Sequence, residues 1–328
     1  MIAAGLLDIL DREPADSSAA FRVLRVPDRP SYLVGKTAGG EPCLLVTTTG
    51  TGRKLPLFLA SIHASFSVPC HVTEPYGPAR TETLTVIRCT SAADEVRAYF
   101  VGLLDFLMDL LGPSPSLAET VDAVERLVEL FQKLRRPSKT TVLGLAGELV
   151  FILAARDARA AVEAWRVDPG ETFDFAYDEL RLDVKATSGT ERVHRLSYEQ
   201  ANPPEGTTGI LASLFIHPTA GGTSLSQLLG MIEEHLSDPV AVGRLRLVVA
   251  SSLGEELPNC LGWTFDLARA SASLTLFDLR GVPAIRGPLS AGISGVRFTS
   301  DLTRCEVISA EALSHLSHRS NRVLPGRP

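Results

Sequence analysis

The sequence is poor in cysteine, and the five it has form no pattern. Cys43, Cys70, Cys89, Cys260 and Cys305 are odd in number, scattered and free of C-x-x-C spacing. That excludes a disulfide framework and a zinc knuckle, and it fits a reducing cytoplasm. Long apolar runs are missing as well: none reaches the roughly 18 residues a membrane span needs. The N-terminus is apolar but has no basic flank and soon meets Asp8, Asp11 and Glu13, so it does not read as a signal peptide. Positive charge is in deficit, with 32 Lys and Arg against 38 Asp and Glu and a formal net charge of −6. A protein that coats nucleic acid without selectivity needs the opposite balance, because neutralising phosphates takes an excess of cations. An enzyme with a single cleft does not, since bound metal ions supply local charge.

Several catalytic signatures are also absent. No G-x-G-x-x-G follows a strand, and there is no G-x-S-x-G elbow. Thr49-Gly50-Thr51-Gly52-Arg53-Lys54 lacks phosphate-loop spacing and reads as a hairpin turn. His63, Cys70 and His71 lie close in sequence without a fourth ligand nearby, and they read as strand residues rather than a zinc site.

What is present is the composition of a soluble globular protein, 45% hydrophobic and 21% charged over 328 residues. The length suggests two or three domains. Up to about Thr90, short β-prone runs (residues 21–26, 31–36, 42–48, 55–66 and 83–89) alternate with Gly, Pro and Asp breaks. Two amphipathic helices are expected next, over residues 91–111 and 117–134, the second stopped by Arg135-Arg136-Pro137. From Ser138 the order becomes helix (141–156), three or four strands (161–167, 172–177, 180–187, 192–196), short helix (197–201), strand (210–216) and helix (223–236). Further strands at 245–250, 274–279 and 295–300 and a last helix at 310–318 complete the chain. The expected division is an N-terminal β-rich domain over 1–112, a core over 113–240 and a C-terminal β/α region over 241–328. The fold class is α/β, or α+β overall.

The chemistry is concentrated in two places. The helix over 141–156 reads Val142-Leu143-Gly144-Leu145-Ala146-Gly147-Glu148-Leu149-Val150-Phe151-Ile152. It is apolar all round and therefore buried. Its two glycines cost about 1 kcal/mol each relative to Ala, which makes sense if another backbone packs closely there. The lone carboxylate of Glu148 must then be paired or bind a metal.

The second place is a strand pair. In Phe173-Asp174-Phe175 and Leu182-Asp183-Val184-Lys185-Ala186 the apolar residues alternate with the charged ones, so Asp183 and Lys185 share a face. A two-residue loop at Asp178-Glu179 pairs Tyr177 with Leu180 and puts Asp174 opposite Asp183. Like charges so opposed repel, and a cation between them relieves the repulsion. Few, hard oxygen ligands suit Mg²⁺. Two ordinary surface charges on a solvent-facing hairpin remain the plainer alternative.

With Gly144–Leu149, Trp165, Phe173-Asp174-Phe175, Asp183-Val184-Lys185-Ala186-Thr187, His194 and Gln200 in place, the chain resembles the bacterial PD-(D/E)XK motif family of nucleases, often encoded beside restriction genes. Phe173 stands where the motif often has proline. The resemblance implies a restriction-endonuclease-like αβββαβ core with a mixed central sheet. It implies Mg²⁺, with Mn²⁺ as substitute, on Asp174, Asp183, the main-chain carbonyl of Val184 and Glu148, and a water assisted by Lys185. It implies a DNA endonuclease leaving 5′-phosphate and 3′-hydroxyl ends, in restriction or phage defence. Cutting both strands takes two sites, so a homodimer or a complex with other restriction–modification proteins is expected, and no membrane. Arg192, His194 and Gln200 are candidate substrate contacts, with structural roles as the alternative for each. A catalytically silent DNA-binding or scaffold subunit is the competing function, and RNA or branched DNA the competing substrate.

Overall fold

The structure is a computed structural model that describes residues 2–12, 20–50, 52, 54–58, 61–75, 77–132, 139–166, 171–254, 257–313 and 315–326. The expected helix stop at residues 135–137, and Thr51 and Arg53 of the expected hairpin turn, lie outside the described residues. The chain divides into two compact units, residues 1–135 with 238–250, and residues 136–237 with 251–328.

The first unit opens with α1 (Ile2–Arg12), followed by β1 (Phe21–Arg25), β2 (Tyr32–Thr37), β3 (Pro42–Val46), β4 (Leu57–Phe58), β5 (Ile62–Thr73) and β6 (Arg80–Cys89). Two helices complete the run, α2 (Asp94–Leu111) and α3 (Leu117–Gln132). Among the described residues the strands form one sheet in the order β1-β2-β3-β6-β5-β4, and β1 also pairs with β5 in parallel. The alternation of apolar residues explains the curl: Val23, Leu33, Cys43, Leu45, Cys70, Val72, Leu84 and Val86 form one core. Cys70 is buried there while the next residue, His71, is exposed and bonded to Thr81, so no zinc site forms from that pair.

The second unit carries the candidate chemistry. Its elements are α4 (Lys139–Ala154), α5 (Ala158–Ala164), β7 (Phe175–Tyr177), β8 (Leu180–Thr187), β9 (Val193–Ser197), α6 (Tyr198–Ala201), β10 (Thr208–Phe215), β11 (Pro218–Ser224) and α7 (Leu225–Glu234). Then come α8 (Pro239–Leu253), most of which belongs to the first unit, α9 (Leu257–Cys260), β12 (Thr264–Phe265), α10 (Leu267–Ser273), β13 (Thr275–Asp278), β14 (Arg297–Asp301), α11 (Ala310–Leu313) and α12 (His318–Val323). The central sheet has the order β13-β10-β8-β7 and is mixed: β8 runs parallel to β10, while β7 and β13 are antiparallel to their neighbours. The protein is thus α+β, with a mixed central sheet in its second unit.

Three sequence expectations need correction. The strand expected over 161–167 is not found at residues 161–166, the last residue lying outside the described ones: Ala158–Ala164 is a helix, because Asp157 caps it by accepting from the Ala160 amide and the alanine-rich run favours helix. Residues 245–250 are not a strand either, but lie inside α8. Their apolar run, Leu245-Arg246-Leu247-Val248-Val249-Ala250, is too short for periodicity to separate a buried strand from a buried helix. And β9, the optional fourth strand of the expected run, does not add to the central sheet among the described residues but pairs with β14.

Helix α4 packs on the β8 face made by Val184 and Ala186. A Cβ on Gly147 would stand 2.9 Å from the Ala186 Cβ, so that glycine is required by close approach. Gly144 meets nothing within 4 Å, and the same explanation fails for it. Gly147→Ala is therefore expected to destabilise by ~1–3 kcal/mol through overpacking, while Gly144→Ala is neutral or stabilises by up to about 1 kcal/mol. Chemical denaturation of the two variants side by side checks this; equal effects would contradict it.

Candidate active site

The β7–β8 hairpin has the register that its two-residue loop dictates: Tyr177 pairs with Leu180 and Phe175 with Leu182. Asp178 takes a positive φ of 46° to close it. The ladder stops there: Asp174 lies one residue before β7 and Asp183 one residue past Leu182 in β8. The Asp174 carboxylate turns inward, and its Oδ2 accepts the Val184 amide at 2.7 Å. Asp183 is 0% exposed, which rules out a surface charge on a solvent-facing hairpin.

Glu148 comes from the middle of α4 and is also buried. The indole of Trp165 donates to its Oε2 at 2.6 Å. Arg166, the next residue, sits between the helix and the hairpin. Its Nη2 is 3.0 Å from Glu148 Oε1 and 3.2 Å from Asp174 Oδ1. The Arg166 backbone is fixed as well, since its amide donates to the Asp174 carbonyl at 2.9 Å.

On the other side, Lys185 Nζ lies 2.7 Å from Asp183 Oδ2. That contact is an ion pair without hydrogen-bond geometry, so Oδ2 is buried with no hydrogen bond. Gln200 holds the other oxygen: its Nε2 donates to Asp183 Oδ1 at 2.6 Å and to the Thr172 carbonyl at 3.1 Å. Its Oε1 accepts the Ser197 amide at 3.1 Å, completing a capping box for α6, and stands 3.4 Å from Lys185 Nζ. The short helix thereby positions a side chain that orients an acid of the site.

The structure thus gathers Glu148, Asp174, Asp183, Lys185 and Gln200 into one buried polar cluster, with Arg166 added. Arg192 and His194 are placed differently. Arg192 donates to the Ser213 carbonyl and hydroxyl, the Ser273 carbonyl and the Thr275 hydroxyl. His194 shares a 2.7 Å hydrogen bond with the Ser213 hydroxyl. Burial, aided by Lys185 and Arg192, lowers His194 to about 4, so it is neutral at physiological pH.

The electrostatics are strained in one direction. Burial, with the charge of Asp174 adding to it, pushes Glu148 up to about 7 against the pull of Arg166. Burial also pushes Asp183 up to about 7, although Lys185 opposes it. Burial works to lower Lys185, but Asp183 and Asp174 outweigh it and the net shift is upward. Fully ionised, three carboxylates would face two cations and leave one negative charge inside the protein, which is the state that burial opposes. Isolated buried charge is expensive.

Residues 33–303 match the model of a family described as "Putative PD-(D/E)XK family member, (DUF4420)". The chain belongs to this family. Searches of curated proteins and of solved structures return no match. The DUF4420 description names the PD-(D/E)XK motif, and PD-(D/E)XK nucleases typically use divalent metals. In this DUF4420 chain the donor chemistry fits such an ion: hard carboxylate oxygens, excess negative charge, and a buried Asp183 Oδ2 without a hydrogen bond. As they stand, no three His, Cys, Asp or Glu side chains among the described residues are arranged to hold a metal. Arg166 and Lys185 occupy the inner sides of the carboxylates instead.

Beside the cluster opens a cleft of ≈ 450 Å³, lined among others by Arg166, Lys185, Gln200, Arg195 and Arg297. Arg195 and Arg297 are exposed on the β9–β14 ribbon, and among the described residues neither has an acidic partner. Sequence reading missed Arg166 because it lay in an expected strand; the signal available was its position beside Trp165, directly after the helix that Asp157 caps.

Proposed function

We propose that this protein is a Mg²⁺-dependent DNA endonuclease of the PD-(D/E)XK type, working in restriction or phage defence as a homodimer or with a partner. The observation that carries the reading is the meeting of Glu148, Asp174 and Asp183 with Lys185 beneath a cleft whose other cations are arginines. Asp174, Asp183, the Val184 carbonyl and Glu148 would hold the metal. When bound, it would lower the pKa of a water and neutralise charge on the scissile phosphate. The chain's own groups do the rest. Gln200 orients Asp183 through a 2.6 Å hydrogen bond. Trp165 orients Glu148 from the opposite side. Lys185, held as an ammonium, steers the attacking water or offsets charge developing on phosphorus. Arg195 and Arg297 offer unpaired guanidinium groups to backbone phosphates, which position a duplex without reading its sequence.

One observation favours the competing reading, a DNA-binding subunit that does not cleave: Arg166 already satisfies two of the acids. Incubation of the full chain with plasmid DNA separates the two. Cleavage is expected with Mg²⁺ or Mn²⁺ and is lost in EDTA. DNA binding without cleavage under any divalent ion would sink the nuclease reading and leave the competing one.

A further inference from the structure

We propose that Arg166 is the site's resident cation: its guanidinium balances Glu148 and Asp174 while no divalent ion is bound, and it turns to substrate phosphate when one is. The inference rests on the metal reading above and concerns a residue outside the motif.

The oxygens decide it. Glu148 and Asp174 each have one oxygen committed to the scaffold. Glu148 Oε2 takes the Trp165 indole proton, and Asp174 Oδ2 takes the Val184 amide proton. The remaining two, Glu148 Oε1 and Asp174 Oδ1, converge on a single nitrogen, Arg166 Nη2, at 3.0 and 3.2 Å. These are the free oxygens of Glu148 and Asp174, while that of Asp183 lies against Lys185, so an ion held by either of the first two acids competes with the guanidinium for it. Arginine stays charged at every working pH and cannot withdraw by losing a proton. It can withdraw only by moving.

Movement is open to it. The Arg166 backbone is pinned to Asp174, but its side chain is 24% exposed and already lines the cleft with Lys185, Arg195 and Arg297. Rotating outward brings the guanidinium to the place where an anionic backbone would lie. The charge count agrees. With all three carboxylates ionised, they sum with Lys185 and Arg166 to minus one. Adding a divalent ion while Arg166 stays gives plus one; with Arg166 turned to the cleft, the interior is neutral. A planar guanidinium also suits a phosphate as a bidentate partner.

The test is Mg²⁺ and Mn²⁺ titration of the full chain by calorimetry, without DNA, comparing wild type with Arg166→Ala and Arg166→Gln. The glutamine variant keeps a neutral donor near both acids in case alanine does not fold. Removing the competitor is expected to tighten metal binding at least tenfold, while binding of DNA in Ca²⁺ weakens. Metal affinity equal to or weaker than wild type in a folded variant overturns the proposal and leaves the nuclease reading standing. Metal binding absent from wild type and variants alike overturns both.

Discussion

Asp183→Asn is expected to abolish DNA cleavage and at the same time to raise the melting temperature of the metal-free protein at pH 8. The two effects have one cause. Burial raises Asp183 far above an ordinary carboxylate, so keeping it ionised costs the folded protein stability. Between the ordinary carboxylate range and about 7, the folded chain holds a proton that the unfolded chain has released. The folded state is therefore favoured at the low end of that window, and stability from this group falls as pH rises through it. An amide carries no charge and escapes the loss. The upward shift at ~1.4 kcal/mol per unit sets a ceiling, and the lost ion pair to Lys185 reduces it, so the net gain at pH 8 is on the order of 1–3 kcal/mol. Melting curves at pH 5 and pH 8 check it: the difference between variant and wild type should appear at pH 8 and shrink toward pH 5. A variant less stable than wild type at pH 8 would mean that the pair with Lys185 dominates. Asp174→Ala should behave oppositely and destabilise at both pH values, by about 1–3 kcal/mol, because it strands the buried Val184 amide.

That contrast also shows where the sequence was legible. The hairpin register followed from a two-residue loop and period-two alternation, so the order of residues alone was enough to set Asp174 beside Asp183. The burial of Glu148 followed from a helix with no polar face. Local pattern determines both. What escaped depends on packing at a distance. Arg166 is written as one charge in a mixed run, and only the turn after α5, fixed by the Trp165–Phe175 bridge, aims it at two acids. Gln200 is legible as a cap for α6, but its reach to Asp183 depends on how the helix docks against β8. The partner of β9 lies about a hundred residues away in sequence, and no local signal could name β14.

Lys185→Ala is expected to leave the fold intact and to cost about 10²–10³-fold in kcat, the range typical of losing one donor aimed at developing charge. The role expected from the metal-free site is that of a cation and not of a base. Burial works to lower Lys185, but in the metal-free protein Asp183 and Asp174 outweigh it and push it upward, so there it is an ammonium with no lone pair with which to take a proton from water. Two consequences separate this role from general-base catalysis. The pH–rate profile should show no ascending limb belonging to Lys185 near neutrality. Lys185→Arg should retain more activity than Lys185→Ala or Lys185→Gln, because it keeps the positive charge beside Asp183, although a planar fork cannot match the reach of a single ammonium. Single-turnover cleavage of a labelled duplex across pH 6–9 supplies both readouts. Equal loss in the arginine and glutamine variants, together with an ascending limb that vanishes in both, would instead make Lys185 a proton acceptor and would require its folded pKa to lie below the usual lysine range.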